Sequence, residues 1–316
     1  MLFDLLQITG ANDLTLAGPW NVGSTAKTLT VNNTGLTTIS GVITNAAALT
    51  KAGSGTLALS ATNLFTGNLT IAGGTLALSG SGSVSNTSVI TITNNATLDA
   101  SGRTDGTFIL NSGQSLNGSG SVSGMVVAAS GSTVAPGFAA TLGTLTVSSN
   151  TTLAGLTYMK INRDTATNDV LSAGGTLTEG GTLTVTNISG TLVVNDTFKL
   201  FSAGVGFSGS FATTNLPALT TGLKWDTTSL ASSGVIKVAA TVNTNSPTLT
   251  NSVAGGVLTL TWPADHIGWR LQVQTNSLAD GLGVNWQDVT GATTTNQVNA
   301  TIDAGNGAVF YRLIYP

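Results

Sequence analysis

The chain has 316 residues, enough for two domains or for one long repeat array with a smaller unit attached. Only 7% of residues are charged and the net charge is −3; no run of Lys or Arg exists, which excludes a surface that tracks nucleic-acid phosphates. Cysteine is absent, so disulfides and cysteine metal sites are excluded too.

Residues 1–52 read as strands, with Asp13–Leu16, Lys27–Val31 and Gly35–Ile39 broken by Asn32-Asn33 and Gly41 as turns would break them. They are taken as irregular first coils of a solenoid, since a terminal coil must cover an open edge. The apolar cluster Leu2, Phe3, Leu5, Leu6 and Ile8 is the candidate cover. It either caps its own core or docks onto a second copy of the chain. The cluster is too short for the apolar core of a signal peptide and lacks basic residues before it. No segment approaches the roughly 18 apolar residues of a membrane helix, so a membrane-spanning chain is not expected.

Residues 53–163 repeat one phrase. Gly55-Thr-Leu-Ala-Leu-Ser60 returns as Gly74-Thr-Leu-Ala-Leu-Ser79, with echoes beginning at Asn95, Gly113, Gly131 and Asn150. The steps between these starting points are nearly equal. Leucines alternating with Thr, Ala and Ser have the period of a strand with one buried face. A sustained repeat of roughly 20 residues in such sequence predicts a β-solenoid, one repeat per coil. A lone coil buries too little to hold itself, so stability belongs to the stack. Residues 164–243 continue in strands with a looser period, including Gly181–Val185, Thr197–Phe201 and Val235–Val238, and no helical periodicity is present.

Asn243-Thr-Asn-Ser-Pro247 then reads as a linker. Residues 244–316 hold Trp262, Trp269 and Trp286 and five strand candidates at the spacing of a small immunoglobulin-like or fibronectin-like β-sandwich. The expectation is therefore an all-β chain: a parallel solenoid over 1–243 and a sandwich over 244–316.

The segment Lys51–Leu59, followed by Leu64–Leu78, resembles the autotransporter-associated β-strand repeat of bacterial passenger domains. It departs at Phe65, where that family often has Tyr, and at Asn68. Residues 118–240 also resemble the passenger segments that follow such repeats, through Gly131–Gly137, Asn168–Leu177 and Asp196–Gly204. The resemblance implies a right-handed parallel β-helix outside the cell, and it brings no catalytic residues. It also implies export, with a leader cleaved or left out of this sequence. The autotransporter's membrane barrel is not expected here, because the last residues resemble C-terminal modules of secreted repeat proteins instead.

Candidate chemistry is sparse. His266, the one histidine, stands beside Asp265 but has no marked nucleophile, so a structural turn is expected. Asp99–Asp105 is the densest charged patch in the solenoid, yet neighbouring coils carry no further carboxylates for a calcium-dependent lyase. Asn162–Asp169 has two carboxylates and two amides in a loop, where calcium is conceivable but a solvated loop simpler. Glu179 is the one glutamate, so a glycosidase pair is lacking. Trp262, Trp269 and Trp286 are candidate glycan contacts, with burial in the sandwich core as the plainer alternative. The expectation is a non-enzymatic surface rod without cofactor that binds copies of itself head to tail. The alternative is an adhesin holding a surface glycan.

Overall fold

The computed structural model describes residues 5–45, 47–220 and 222–315. The chain forms two compact units, one of residues 1–218 and 225–238, the other of 219–224 and 239–316.

The first unit is a parallel β-solenoid with three long sheets. The first sheet runs from Leu5–Ile8 through Ala26–Val31, Ala48–Ala52 and Asn68–Ile71 to Thr213–Asn215. The second runs from Leu14–Leu16 through Thr56–Leu59 and Thr75–Leu78 to Phe201–Ala203, and the third from Thr107–Leu110 to Gly206–Gly209. Neighbours along each sheet are parallel and come from successive coils, as the alternating pattern requires when a coil returns to the same face.

Alternation sorts side chains into columns. Inside the second sheet, Thr37, Leu57, Leu76, Leu98, Val122 and Val147 stand one above another. On the outer side of the first sheet, Thr28, Thr50, Thr70 and Thr91 form a ladder of hydroxyls. The first coils expected to be irregular are already in register: Leu6 lies opposite Leu29, and Ile8 opposite Val31.

The repeated phrase marks corners of the solenoid. Leu57, Leu76 and Leu98 stack in the second sheet, but the echoes put Leu116 and Val134 in the first sheet and Leu153 in the third. A coil with three faces has three turns, and a turn followed by Thr-Leu starts a strand at any of them. Coils begin close to the expected repeat length and then lengthen. In the second sheet a short coil carries the chain from Thr56 to Thr75, whereas the coil from Leu171 to Phe201 is more than half as long again. The turn residue of the phrase is constrained: Gly74 has φ +60°, and a Cβ there would meet the Gly55 carbonyl oxygen at 2.5 Å.

The second unit pairs two antiparallel three-stranded sheets. Val257–Thr261 lies between Thr250–Ala254 and Gln297–Thr301, and Arg270–Asn276 between Gln287–Asp288 and Ala308–Ile314. Gly255 and Gly256, both at positive φ, make the two-residue hairpin that joins Ala254 to Val257. Leu260, Trp262, Leu271 and Ala292 form a shared core, with Val298, Tyr311 and Leu313 packed against it.

Candidate functional site

Leu5–Ile8 is the outermost described strand of the first sheet and, among the described residues, pairs only with Ala26–Val31. Leu5 is 66% exposed, Leu6 half-buried and Ile8 buried. Leu2 and Phe3, the other two candidate docking residues, lie outside the described residues. Among the described residues the strand therefore presents an exposed aliphatic side chain and one row of main-chain groups without a partner strand.

The charged patch at 99–105 is a corner clasp. Arg103 Nε meets Asp105 Oδ1 at 3.1 Å, and Asp105 also accepts the Thr107 backbone N–H at 3.0 Å. The Arg103 hydrogen bond, helped by that N–H, holds the Asp105 carboxyl below its ordinary range. Arg103 also donates to the Gly82 carbonyl one coil earlier. Asp99 turns away, accepting from the Ser101 backbone N–H at 2.9 Å and its hydroxyl at 2.6 Å. In the 162–169 loop the two carboxylates part company. Asp164 accepts from the Ser189 hydroxyl at 2.7 Å. Asp169 is fully buried, 2.7 Å from Lys160 Nζ and accepting the Gly143 and Lys160 backbone N–H groups. Among the described residues no group of three or more His, Asp or Glu converges as metal ligands would.

His266 is buried, and both ring nitrogens are engaged: Nδ1 lies 2.7 Å from Asp265 Oδ1, and Nε2 2.8 Å from the Asn245 carbonyl oxygen. Asn243 donates through its side chain to Asp265 Oδ2 at 2.9 Å, and its carbonyl accepts from Trp269 Nε1 at 2.8 Å. Asp265 is held below its ordinary carboxyl range, first by Asn243 and then by His266. The Asp265-His266 turn thus fastens residues 243–245 to the sandwich.

Trp262 and Trp269 are only 2% and 6% exposed, so neither ring keeps a face for a sugar. Trp262 belongs to the shared core, and Trp269 packs edge-on against Tyr315. Trp286 is half-buried, with the Arg312 guanidinium 4.2 Å from its ring centre. The structure does not bring the three rings onto one surface.

Some buried ionisable groups carry no motif. Lys51 stands in an aliphatic column between Leu29 and Ile71. Its ammonium donates to the carbonyl oxygens of Ala52, Gly53, Gly55 and Gly73, at 3.3, 2.9, 2.6 and 2.8 Å. Burial pulls its pKa down to about 8. Glu179 is 4% exposed, its Oε1 has no hydrogen-bond partner among the described residues, and burial pushes its carboxyl up to about 7. Another is Lys160, paired with Asp169. Strand alternation was the available signal for the first two: Lys51 shares a face with Leu49, and Glu179 with Leu177.

Residues 49–78 match the family model of the passenger-associated-transport-repeat. The matched segment begins in the Ala48–Ala52 strand, includes Lys51, and ends with the second copy of the repeated phrase. Together with the solenoid around it, the match fits a passenger-type β-helix repeat protein of the kind found in autotransporters. No curated protein matches the chain. Among the described residues no helix is long and apolar enough to cross a membrane.

Proposed function

We propose that this chain is a non-catalytic structural rod, secreted or held at a bacterial surface, whose solenoid joins copies of itself end to end. The passenger repeat and the parallel solenoid support a secreted or surface protein. The observation that carries the end-to-end reading is the Leu5–Ile8 strand, paired on one side and led by an exposed leucine. An unpaired strand edge templates another strand, and a heterologous contact that does not close propagates into a filament. The opposite terminal strand of the same sheet, Thr213–Asn215, is exposed throughout and, among the described residues, pairs only with Thr182–Asn187.

Chemistry points the same way. Asp99, Asp105 and Asp169 are spent on a turn, on Arg103 and on Lys160, which leaves no convergent acid–base pair among them.

Negative-stain microscopy of the purified protein over a range of concentrations tests the proposal. Rods that lengthen into fibres as concentration rises are expected. The variant Leu5→Lys should stay as single rods with an unchanged β spectrum, since a lysine on an edge strand blocks pairing and Leu5 is already exposed. Single rods at every concentration, or fibres that persist in Leu5→Lys, would overturn the mechanism.

A further inference from the structure

The third face of the solenoid is interrupted. Early coils bridge it with short parallel contacts, Trp20–Asn21 to Ile43–Thr44 and Thr62 to Ser83. The third sheet proper begins only at Thr107–Leu110, which pairs with Met125–Ala128 on one side. Between Ser83–Ser85 and Thr107–Leu110 lies a groove of about 250 Å³. The buried side chains of Leu78, Val84 and Phe108 form its floor. Thr62, Ser81, Ser83 and Ser85 line its wall.

Hydrogen-bond parity identifies what the groove lacks. Met125 N–H donates to the Gly106 carbonyl, and Ala129 N–H to the Leu110 carbonyl. Even-numbered residues of this strand therefore face the next coil, and Thr107, Ile109 and Asn111 face the groove. The flanking donors are already capped. Thr107 N–H goes to Asp105 Oδ1 at 3.0 Å, and Asn111 N–H to Gln114 Oε1 at 2.9 Å. Across the groove, the Val84 carbonyl accepts from Gln114 Nε2 at 3.1 Å and the Gly82 carbonyl from Arg103. Side chains thus bridge the groove itself, while backbone bonds close it at its two ends, Gly80 N–H to the Gly102 carbonyl and Ser115 N–H to the Ser88 carbonyl. At Ile109 no side chain or neighbouring strand takes the main-chain N–H and C=O on the groove side, among the described residues. Its own side chain points outward, 44% exposed.

We propose that this groove is a binding site for an extended peptide, which adds to the third sheet alongside Ile109. A residue in extended conformation presents its N–H and C=O on the same side and satisfies both Ile109 groups in one rung. A single trans amide, such as the acetamide of an amino sugar, points its N–H and C=O in opposite directions and satisfies one. Thr107–Leu110 offers about 13 Å of strand, so the site takes three or four residues. Its chemistry fits an uncharged strand with a small apolar side chain toward the floor and hydroxyl side chains toward the wall. Arg103, the charged residue lining the groove, is neutralised by Asp105. The binding mode is strand addition, in which main-chain bonds give affinity and alternate side chains give selectivity.

The test is an array of end-capped random hexapeptides probed with the whole chain, followed by titration of the best binder into ¹⁵N-labelled protein. Saturable binding that shifts the Ile109 amide and slows its hydrogen exchange is expected. Ile109→Pro removes the groove-facing N–H but no ladder bond, so the fold should persist while affinity falls at least tenfold. Methylating the central nitrogen of the peptide should weaken binding as much. Ser85→Trp, which fills the groove from its wall, serves as a second variant if the proline disturbs the strand. No retained peptide, undiminished binding in Ile109→Pro and Ser85→Trp, or indifference to the N-methyl group would overturn the proposal. So would a chito-oligosaccharide that saturates the groove where peptides do not. Fibre formation is read separately, through Leu5→Lys, so either proposal can fail alone.

Discussion

Lys51 and Glu179 occupy inward positions of strands whose other inward residues are aliphatic, and they meet that environment differently. The Lys51 ammonium is ringed by four carbonyl oxygens from two successive turns, which links one corner of the solenoid to the next. Lys51→Met keeps the shape and removes the donors, so thermal denaturation should show a loss of about 1–3 kcal/mol. Glu179 has no comparable shell. Its carboxyl is raised from 4.5 to about 7 by burial, so the folded state holds a proton that the unfolded chain releases. Stability should therefore fall as pH rises from 4.5 through 7. Melting curves across this range should fall more steeply in the wild type than in Glu179→Gln, where the buried Asp169, also raised by burial, still contributes, and the variant should be more stable at neutral pH. The inward face of both residues was legible from alternation in the sequence, but the partners were not. Carbonyls from Gly53 and Gly73 reach one ammonium only after a full coil has returned the chain to the same corner.

At the level of strands, the alternation of Leu with Thr and Ser marked the inward leucines of the second sheet near the repeat, although Ala58, on the other face, is buried as well. The phrase itself was ambiguous, because Gly-Thr-Leu begins a strand on any of three faces. This is why its nearly equal steps continue while the phrase moves from one sheet to another. Packing depends on the column. Leu76→Ala, between Leu57 and Leu98, should cost about 2–5 kcal/mol in chemical denaturation, since coils on both sides are fixed by their ladders and cannot collapse into the space. Among the tryptophans, sequence spacing separated none from the others. Burial of Trp262 follows from its place one residue after Val257–Thr261, where the sandwich closes over Ala292. The groove beside Ile109 left no mark in the sequence, because it arises from a strand that is missing on one coil and present on the next.

Over the whole molecule, the all-β character and the change in composition near residue 243 were legible from the sequence alone. The boundary in space is less simple, since residues 219–224 belong to the second unit. A charge content of 7% leaves little for salt to screen, so the proposed end-to-end assembly, measured by light scattering, should change less than twofold between 50 and 500 mM NaCl. The lengthening of the coils has an evolutionary consequence. Unequal recombination lengthens a repeat gene by whole copies, and a copy is absorbed only where the courses above and below have the same girth. Thr37, Thr56 and Thr75 face Leu57, Thr75 and Thr97 across nearly equal steps, so duplicating 56–74 should extend the rod by one course of about 4.8 Å and leave the protein folded. Beyond residue 156 successive courses differ by several residues, and the same duplication there would leave a ledge. Whole-copy insertions should therefore be tolerated within the matched repeat and not beyond it.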